Sequence, residues 1–258
     1  MFILFYRDNI FIEKMNVTER LDQLDWVVDH IKKHGKDSKK ILIYVNYVLS
    51  TADIFEHLQG KLGEDGFDGP PCSKNRLVEM YSAATQEEDK KRVQRRISEK
   101  DGNLRVVIAT VAFGMGIDIP DVDIVVQWGL PRSPLQYWQQ AGRGGRDGRS
   151  ALNMSYVFAR SINLCPDKHM KEFAEEESSC LRYKLLSVFS VNDIMDVQLK
   201  ALKSTPECSD ECKCEGAHIC QCPACQCCNI CMKKCPCKVT SKLDTFLTTY
   251  DADEDDTN

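Results

Sequence analysis

The feature that most constrains this chain is a set of short, almost wholly apolar runs separated by amphipathic stretches. KKILIYVNYV (39–48), LRVVIAT (104–110), VDIVVQW (122–128) and ALNMSYVFA (151–159) lack the alternation of a half-buried sheet. A strand apolar on both sides needs cover on both faces, the condition of a strand inside a parallel sheet. Helical segments lie between them. Leu21, Leu24, Val28 and Ile31 recur at helical spacing, with Thr18 placed to cap the start and Gly35 to end it. Ser50 with Asp53, and Thr85 with Glu88, are spaced as capping boxes for two further helices. MFILFYRDNIFI reads as a first strand, LVEMYS (77–82) as a short one, GEDGFDGPP (63–71) as a loop and PLQYWQQ as a helix start. Strand, helix, strand, helix predicts an α/β fold: a parallel sheet covered by helices on both faces.

The pattern stops near Ala159, and the text that follows is helical and charged. Then comes the compositional outlier: 14 cysteines in 258 residues, 11 of them between Cys208 and Cys237. A disulfide framework spreads its cysteines through a small secreted fold. One dense block behind a cysteine-poor α/β body, with no export signal recognised at the start, points instead to zinc in a reducing compartment. The expected organisation is an α/β domain over residues 1–159, a helical, Cys-rich zinc-binding subdomain over 160–237 and an acidic, disordered tail over 238–258. The net charge is −5, and the run DADEDD (251–256) holds five acids, so net charge alone does not announce a nucleic-acid binder. No apolar run approaches the ~20 residues of a membrane span.

Open α/β sheets bind ligands beyond the carboxyl ends of their strands. AFGMGIDIPD follows one strand, and a second leads through Leu130-Pro131 and a short helix into QQAGRGGRDGRS (139–150). Both loops are expected at the same sheet edge. Arg143 and Arg146 are three apart, so on a helical turn their guanidiniums face one target. A guanidinium is a planar, permanent fork for phosphate oxygens, and an arginine finger at a transferring phosphoryl group contributes ~10³–10⁵ in rate. An Arg/Gly-rich run is otherwise a flexible, weakly RNA-binding loop; its place in a strand–helix register argues against that here. GxxxxGK[ST] does not occur in the sequence. An arginine finger without a phosphate cradle implies that another domain presents the nucleotide.

VVIATVAFGMGIDIPDVDIVVQWGLPRSPLQYWQQAGRGGRDG closely resembles the second motor domain of RecQ-type DNA helicases, in superfamily 2. The lead-in RDNIFIEKMNV resembles the family as well, with Asp8 where proline is usual. The resemblance implies a RecA-like helicase C-terminal domain followed by a small helical zinc-binding subdomain. It implies ATP-driven, 3′-to-5′ unwinding of duplex DNA in recombination and repair, in the nucleus, with Mg2+ and with a first RecA-like motor domain as partner. Gln139, Gly142, Arg143, Gly145 and Arg146 match the family's QxxGRxGR element. By resemblance Arg146 is the finger, Arg143 also reaches the nucleotide phosphates, Gly116 and Asp118 in GMGID lie near the nucleotide, and Thr110 and Asn46 meet the nucleic-acid backbone. Tyr47 and Val48, Ser82 and Ala84, and Gly144 depart from the common pattern. The first two pairs fall in DNA-facing elements, so the departures imply weaker strand contacts. The half that carries the Walker lysine is expected outside this sequence, and the chain alone is expected not to hydrolyse ATP. The alternative is a non-catalytic, zinc-stabilised nucleic-acid or protein adaptor on the same fold.

The resemblance also places a zinc-bound helical hairpin after the motor domain. CLRYKLLSVF (180–189) is similar to its helix and CQCCNIC (225–231) to its cysteine cluster, implying Cys180, Cys225, Cys228 and Cys231 as ligands. Cys227, His218, Cys220, Cys222, Cys235 and Cys237 remain open as ligands, and a second metal is compatible with the count. The bases between Lys90 and Lys100 are either a nucleic-acid face or a face paired with its own glutamates. Trp128, Tyr137 and Trp138 are expected in the core, and Cys72 and Cys165 are expected to have no metal role.

Overall fold

Six strands form a single sheet: β1 (Ile10–Asn16), β2 (Ile41–Val45), β3 (Val78–Tyr81), β4 (Val106–Ala109), β5 (Ile124–Trp128) and β6 (Ala151–Val157). Their order is β1-β6-β5-β2-β4-β3, and every pairing is parallel. The computed structural model describes residues 7–100, 102–111, 113, 119, 121–189, 222–235 and 241–248. Residues 1–6 of the expected first strand, the GMGID segment with Gly116 and Asp118, the insertion with His218, and the acidic run 251–256 lie outside them.

The apolar runs read from the sequence are the interior strands, and every residue of β2, β4, β5 and β6 is buried. On one face, α1 (Asp25–His34) and α2 (Val48–Leu62) set Val28, Ile31, Ile54 and Leu58 against Ile43, Ile108 and Val126. On the other, α3 (Glu87–Ser98) packs Val93 and Ile97 on Leu42, Val107 and Val125. Beside it, α4 (Pro134–Ala141) covers β5 and β6: the Tyr137 hydroxyl accepts from Asn153 Nδ2 at 2.6 Å and its carbonyl from Gln127 Nε2 at 3.3 Å. The sheet is therefore covered on both faces, as the alternation of strands and helices predicts.

Helix starts differ from the expected caps. α1 begins at Asp25, after a 3-10 turn over Leu21–Leu24, and its first turn follows the fully buried Leu24 rather than Thr18. α2 begins before Ser50, with Tyr47 at its cap position; α3 is preceded by Gln86, while Thr85 Oγ1 accepts from Ser82 N at 2.9 Å to hold the turn before it. At α1, burial of Leu24 outweighs a cap that is usually worth ~1 kcal/mol. The basic residues of α3 pair with acids of the same helix and with Glu79 of β3. Arg96 is 5% exposed and donates to Glu79 at 3.2 Å, Arg92 donates to Glu79 at 3.3 Å and Lys90 to Glu87 at 2.8 Å.

After β6 the chain forms α5 (Ala159–Leu164), α6 (Lys168–Glu175) and α7 (Leu181–Leu186). Asp167 caps α6, accepting from Met170 N at 3.0 Å. At the other end the buried Lys14 ammonium donates to the carbonyls of Ala174 (2.7 Å), Phe173 (3.3 Å) and Glu176. A cation there satisfies orphan carbonyls and complements the helix dipole. Two short turns, Pro223–Cys227 and Asn229–Met232, lie along the outer edge of β1. Cys228 bridges Ile12 in parallel, and the Asn229 amide accepts from Lys14 N at 3.4 Å and donates to Lys14 O at 2.7 Å. A side-chain amide thus stands in for a neighbouring strand. The disordered tail expected from residue 238 contains structure instead: Lys242–Thr248 is helical, because Leu243, Phe246 and Leu247 find apolar cover against the core.

Candidate functional site

Ser133 and Pro134 fix where α4 starts: the Ser133 hydroxyl accepts from Gln136 N at 3.2 Å, and proline at the first helical position lacks only an N–H that would be orphaned. Eight residues at ~1.5 Å each carry the chain ~12 Å back along the sheet, nearly the length of β5. The arginine loop therefore emerges beside the strand starts. Gly145 N donates to Val122 O at 2.9 Å, and Leu152 N to Asp123 O at 3.0 Å. The expectation that this loop shares the carboxyl edge with the loop after β4 is corrected: the length of α4 returns it to the opposite edge.

The loop is held by its backbone. Gly145 adopts φ 56°, and a Cβ there would lie 2.6 Å from Asn9 Nδ2 and 3.1 Å from Ala151 Cβ. Only glycine fits both the dihedral and the space. Gly144, where the family commonly has alanine, would place a Cβ 2.9 Å from that of Ala151. Arg7 Nη2 donates to Gly144 O at 3.1 Å and also to Gly145 O. Asn9 Nδ2 donates to Gly145 O at 2.9 Å and to Arg149 O at 2.7 Å. Arg149 pairs with Asp123 at 3.1 Å and Asp147 at 2.7 Å.

On this scaffold Gln139 and Arg146 are exposed, Gly142 and Arg143 half-buried and Gly145 buried. Arg146 Nε donates to Gly142 O at 3.4 Å. Burial pushes the Tyr44 phenol up to about 12 while the nearby charges of Arg143 and Arg146 pull it down. Burial and the neighbouring Arg146 charge lower the pKa of Arg7. Arg7, Arg143 and Arg146 thus concentrate positive charge at one rim, a surface suited to a polyanion.

The two residues expected at nucleic acid stand at the other edge. Asn46 follows β2, half-buried, with Nδ2 donating to Leu130 O at 2.7 Å; Thr110 follows β4 and is 7% exposed. Asn46 lines a groove with Trp128, Gly129, Arg132 and Arg160. Exposed apolar side chains gather at this edge: Tyr47, Val48 and Leu49 after β2, Val111 after β4 and Leu164 beyond β6. Trp128, Tyr137 and Trp138 are buried, as expected of core aromatics.

Among the cysteines, the thiols of Cys180, Cys227, Cys228 and Cys231 lie within 4.8 Å of one another, all buried. Cys225 is the correction to the expected set: it lies with Cys222 and Cys235. Cys228 is extended (φ −158°, ψ 165°) and ends the Pro223–Cys227 turn. Within that turn Cys225 N donates to the Cys222 sulfur at 3.4 Å, while Cys227, two positions and ~200° further round, meets Cys180 at 3.4 Å. Contact with the Cys180 thiol, then with those of Cys227 and Cys231, pulls Cys228 strongly toward thiolate. Four converging thiols match the donor set of a soft ion with tetrahedral sulfur coordination. Cys72 is exposed and Cys165 buried, its Sγ 3.5 Å from Pro131 O; neither lies in these groups.

One buried side chain links the two regions. Arg182 donates to Arg7 O at 2.5 Å, to Ile10 O, and to Cys227 O at 3.4 Å. Sequence reasoning missed Arg7, Asn9, Arg182 and Asn229, which act on backbone far away in the chain. For Arg7 and Asn9 a signal existed, in the RDNIFIEKMNV lead-in.

The sequence family described as the helicase conserved C-terminal domain matches residues 22–148. ATP-dependent DNA helicase Q4 of Mus musculus is 46% identical over 80 residues, covering 31% of this chain and 6% of that protein. Its Homo sapiens counterpart is 52% identical over 74 residues, covering 29% and 6%. RecQ-like DNA helicase BLM of Xenopus laevis is 31% identical over 209 residues, covering 73% and 14%. The chain thus spans between 6% and 14% of the length of these three relatives. Among the described residues no helix is long and apolar enough to cross a membrane. The parallel sheet, the QxxGRxGR loop and these matches together identify the chain as a member of the RecQ-type helicases of superfamily 2, carrying the C-terminal half of their motor.

Proposed function

We propose that this chain is the second motor domain of an ATP-driven, 3′-to-5′ DNA helicase that acts in nuclear recombination and repair. Arg146 meets the γ-phosphate of an ATP presented by a first motor domain, which also supplies the magnesium site. Arg143 reaches the same triphosphate. Gln139, Gly142 and Gly145 give that edge its shape, and Gly116 and Asp118, outside the described residues, belong to the nucleotide site by family resemblance. Thr110 and Asn46 contact the strand backbone at the opposite edge. The observation that carries this reading is the exposed Arg146 beside Arg143 and Arg7, on a loop whose carbonyls are tied to Arg7 and Asn9, just ahead of β1. A finger needs an accessible guanidinium on a support that does not yield, since preorganised charge costs no reorganisation in the transition state.

Cys180, Cys227, Cys228 and Cys231 would hold zinc in this reading, with thiolates at ~2.3 Å. The ion clamps α7 to the turns on the β1 edge and performs no chemistry.

Reconstitution with a first motor domain tests the motor reading. Turnover of ATP on single-stranded DNA should fall by at least a hundredfold in Arg146→Ala, against ~10³–10⁵ for known fingers. A loss below tenfold overturns the assignment and favours the adaptor reading.

A further inference from the structure

Cys222, Cys225 and Cys235 are not needed for the first thiolate group, yet their sulfur atoms also lie within 4.8 Å of one another. We infer that they form a second metal centre, a tris-thiolate site for a soft divalent ion of the zinc class. The inference does not depend on the motor reading.

Three observations support it. Tetrahedral coordination at ~2.3 Å puts neighbouring thiolates ~3.8 Å apart, and Cys222 and Cys235 Sγ are 3.6 Å apart, close to that edge length. Next, the local build repeats that of the first centre. In Cys222-Pro223-Ala224-Cys225 the Cys222 sulfur accepts from Cys225 N at 3.4 Å; in Cys228-Asn229-Ile230-Cys231 the Cys228 sulfur accepts from Cys231 N at 3.5 Å. A backbone N–H aimed at sulfur favours the thiolate, the form that binds metal. The same C-x₂-C turn thus occurs twice in succession, each contributing two sulfurs to a different group. Third, the charge is answered. Three thiolates and a divalent ion carry one net negative charge, and the buried Lys242 ammonium donates to the Cys225 carbonyl at 3.2 Å. Cys225 and Cys235 are buried while Cys222 is half-buried, which leaves one side open for an ion to enter.

A disulfide is the competing chemistry. It joins two sulfurs and needs an oxidant, and it leaves the third thiol of the group without a role.

The full chain, purified under reductant and loaded with ¹¹³Cd²⁺, tests the inference. Two cadmium resonances in the thiolate range are expected. Cys235→Ser should remove one and keep the other, whose survival reports an intact first centre; Cys180→Ser should remove the opposite one. If Cys235→Ser loses both, Cys235→His decides: recovery of two bound ions supports a metal-ligand role, and failure to recover overturns it. A single ion per chain that is indifferent to Cys235→Ser overturns the inference. So does a Cys222–Cys235 disulfide found after denaturing alkylation.

Discussion

Cys180 and Cys227 stand 47 positions apart in the chain with their sulfurs 3.4 Å apart, closing the helical appendage onto the turns that cover β1. The ligand set proposed above rests on this contact rather than on even spacing. Cys227→Ser should abolish metal retention at the first centre, whereas Cys225→Ser should leave that ion in place. Metal analysis after gel filtration distinguishes them. Structural zinc contributes on the order of 10 kcal/mol to the fold it closes, so chelation should unfold the appendage while the sheet domain keeps its circular-dichroism signal.

Gly145→Ala forces a Cβ into the space beside Asn9 and Ala151 at a positive φ. The dihedral costs about 1–2 kcal/mol and the clash adds to it. Urea unfolding should register that loss, and ATP turnover with a first motor domain should fall with it, because the arginine loop can no longer close on β1.

Arg182→Met removes donors from three backbone carbonyls, those of Arg7, Ile10 and Cys227. Arg7 O keeps its bond from Ile10 N at 3.3 Å, but the acceptors at Ile10 and Cys227 are buried, and a buried acceptor left unpaired costs about 1–3 kcal/mol. The variant should melt several degrees lower, and amide exchange should accelerate both in β1 and in residues 142–150, which Arg182 reaches through the Arg7–Ile10 segment that holds them. Acceleration confined to α7 would refute the coupling.

His30, on α1, provides a pH signature. Burial, with His34 and Lys39 nearby, depresses its pKa to about 4, and its Nε2 accepts from Lys39 N at 3.0 Å. A base whose folded pKa is depressed binds protons more readily when unfolded. Its contribution is complete above the unfolded value of about 6.5 and is lost as pH falls toward about 4. Denaturation midpoints should decline through that window, and His30→Gln, which keeps an acceptor but cannot be protonated, should flatten the decline.

The strands were legible because burial on both faces leaves uninterrupted apolar runs, and ILIYV and IVVQW lie where their composition puts them. Helix starts were not, since Leu24 and Tyr47 stand where Thr18 and Ser50 were expected. A cap is a small local preference, and at α1 the burial of Leu24 overrides it. The residues of the arginine loop could be read from their chemistry, but the edge they occupy depends on the return path of α4. For the cysteines, adjacency hid the answer. Cys227 and Cys228 are neighbours whose sulfurs join one group, while Cys225 joins another; two positions on the Pro223–Cys227 turn are ~200° of rotation at 3.6 residues per turn, so Cys225 and Cys227 leave it on opposite sides.

The Asn229 amide and the Ile12–Cys228 bridge occupy a row of β1 backbone groups that would otherwise be open to any extended peptide. An uncovered outer strand is a template for strand addition between molecules. If the first thiolate group holds zinc as proposed, stripping it should therefore promote self-association, visible as concentration-dependent light scattering under chelator and suppressed when zinc is restored before aggregates form.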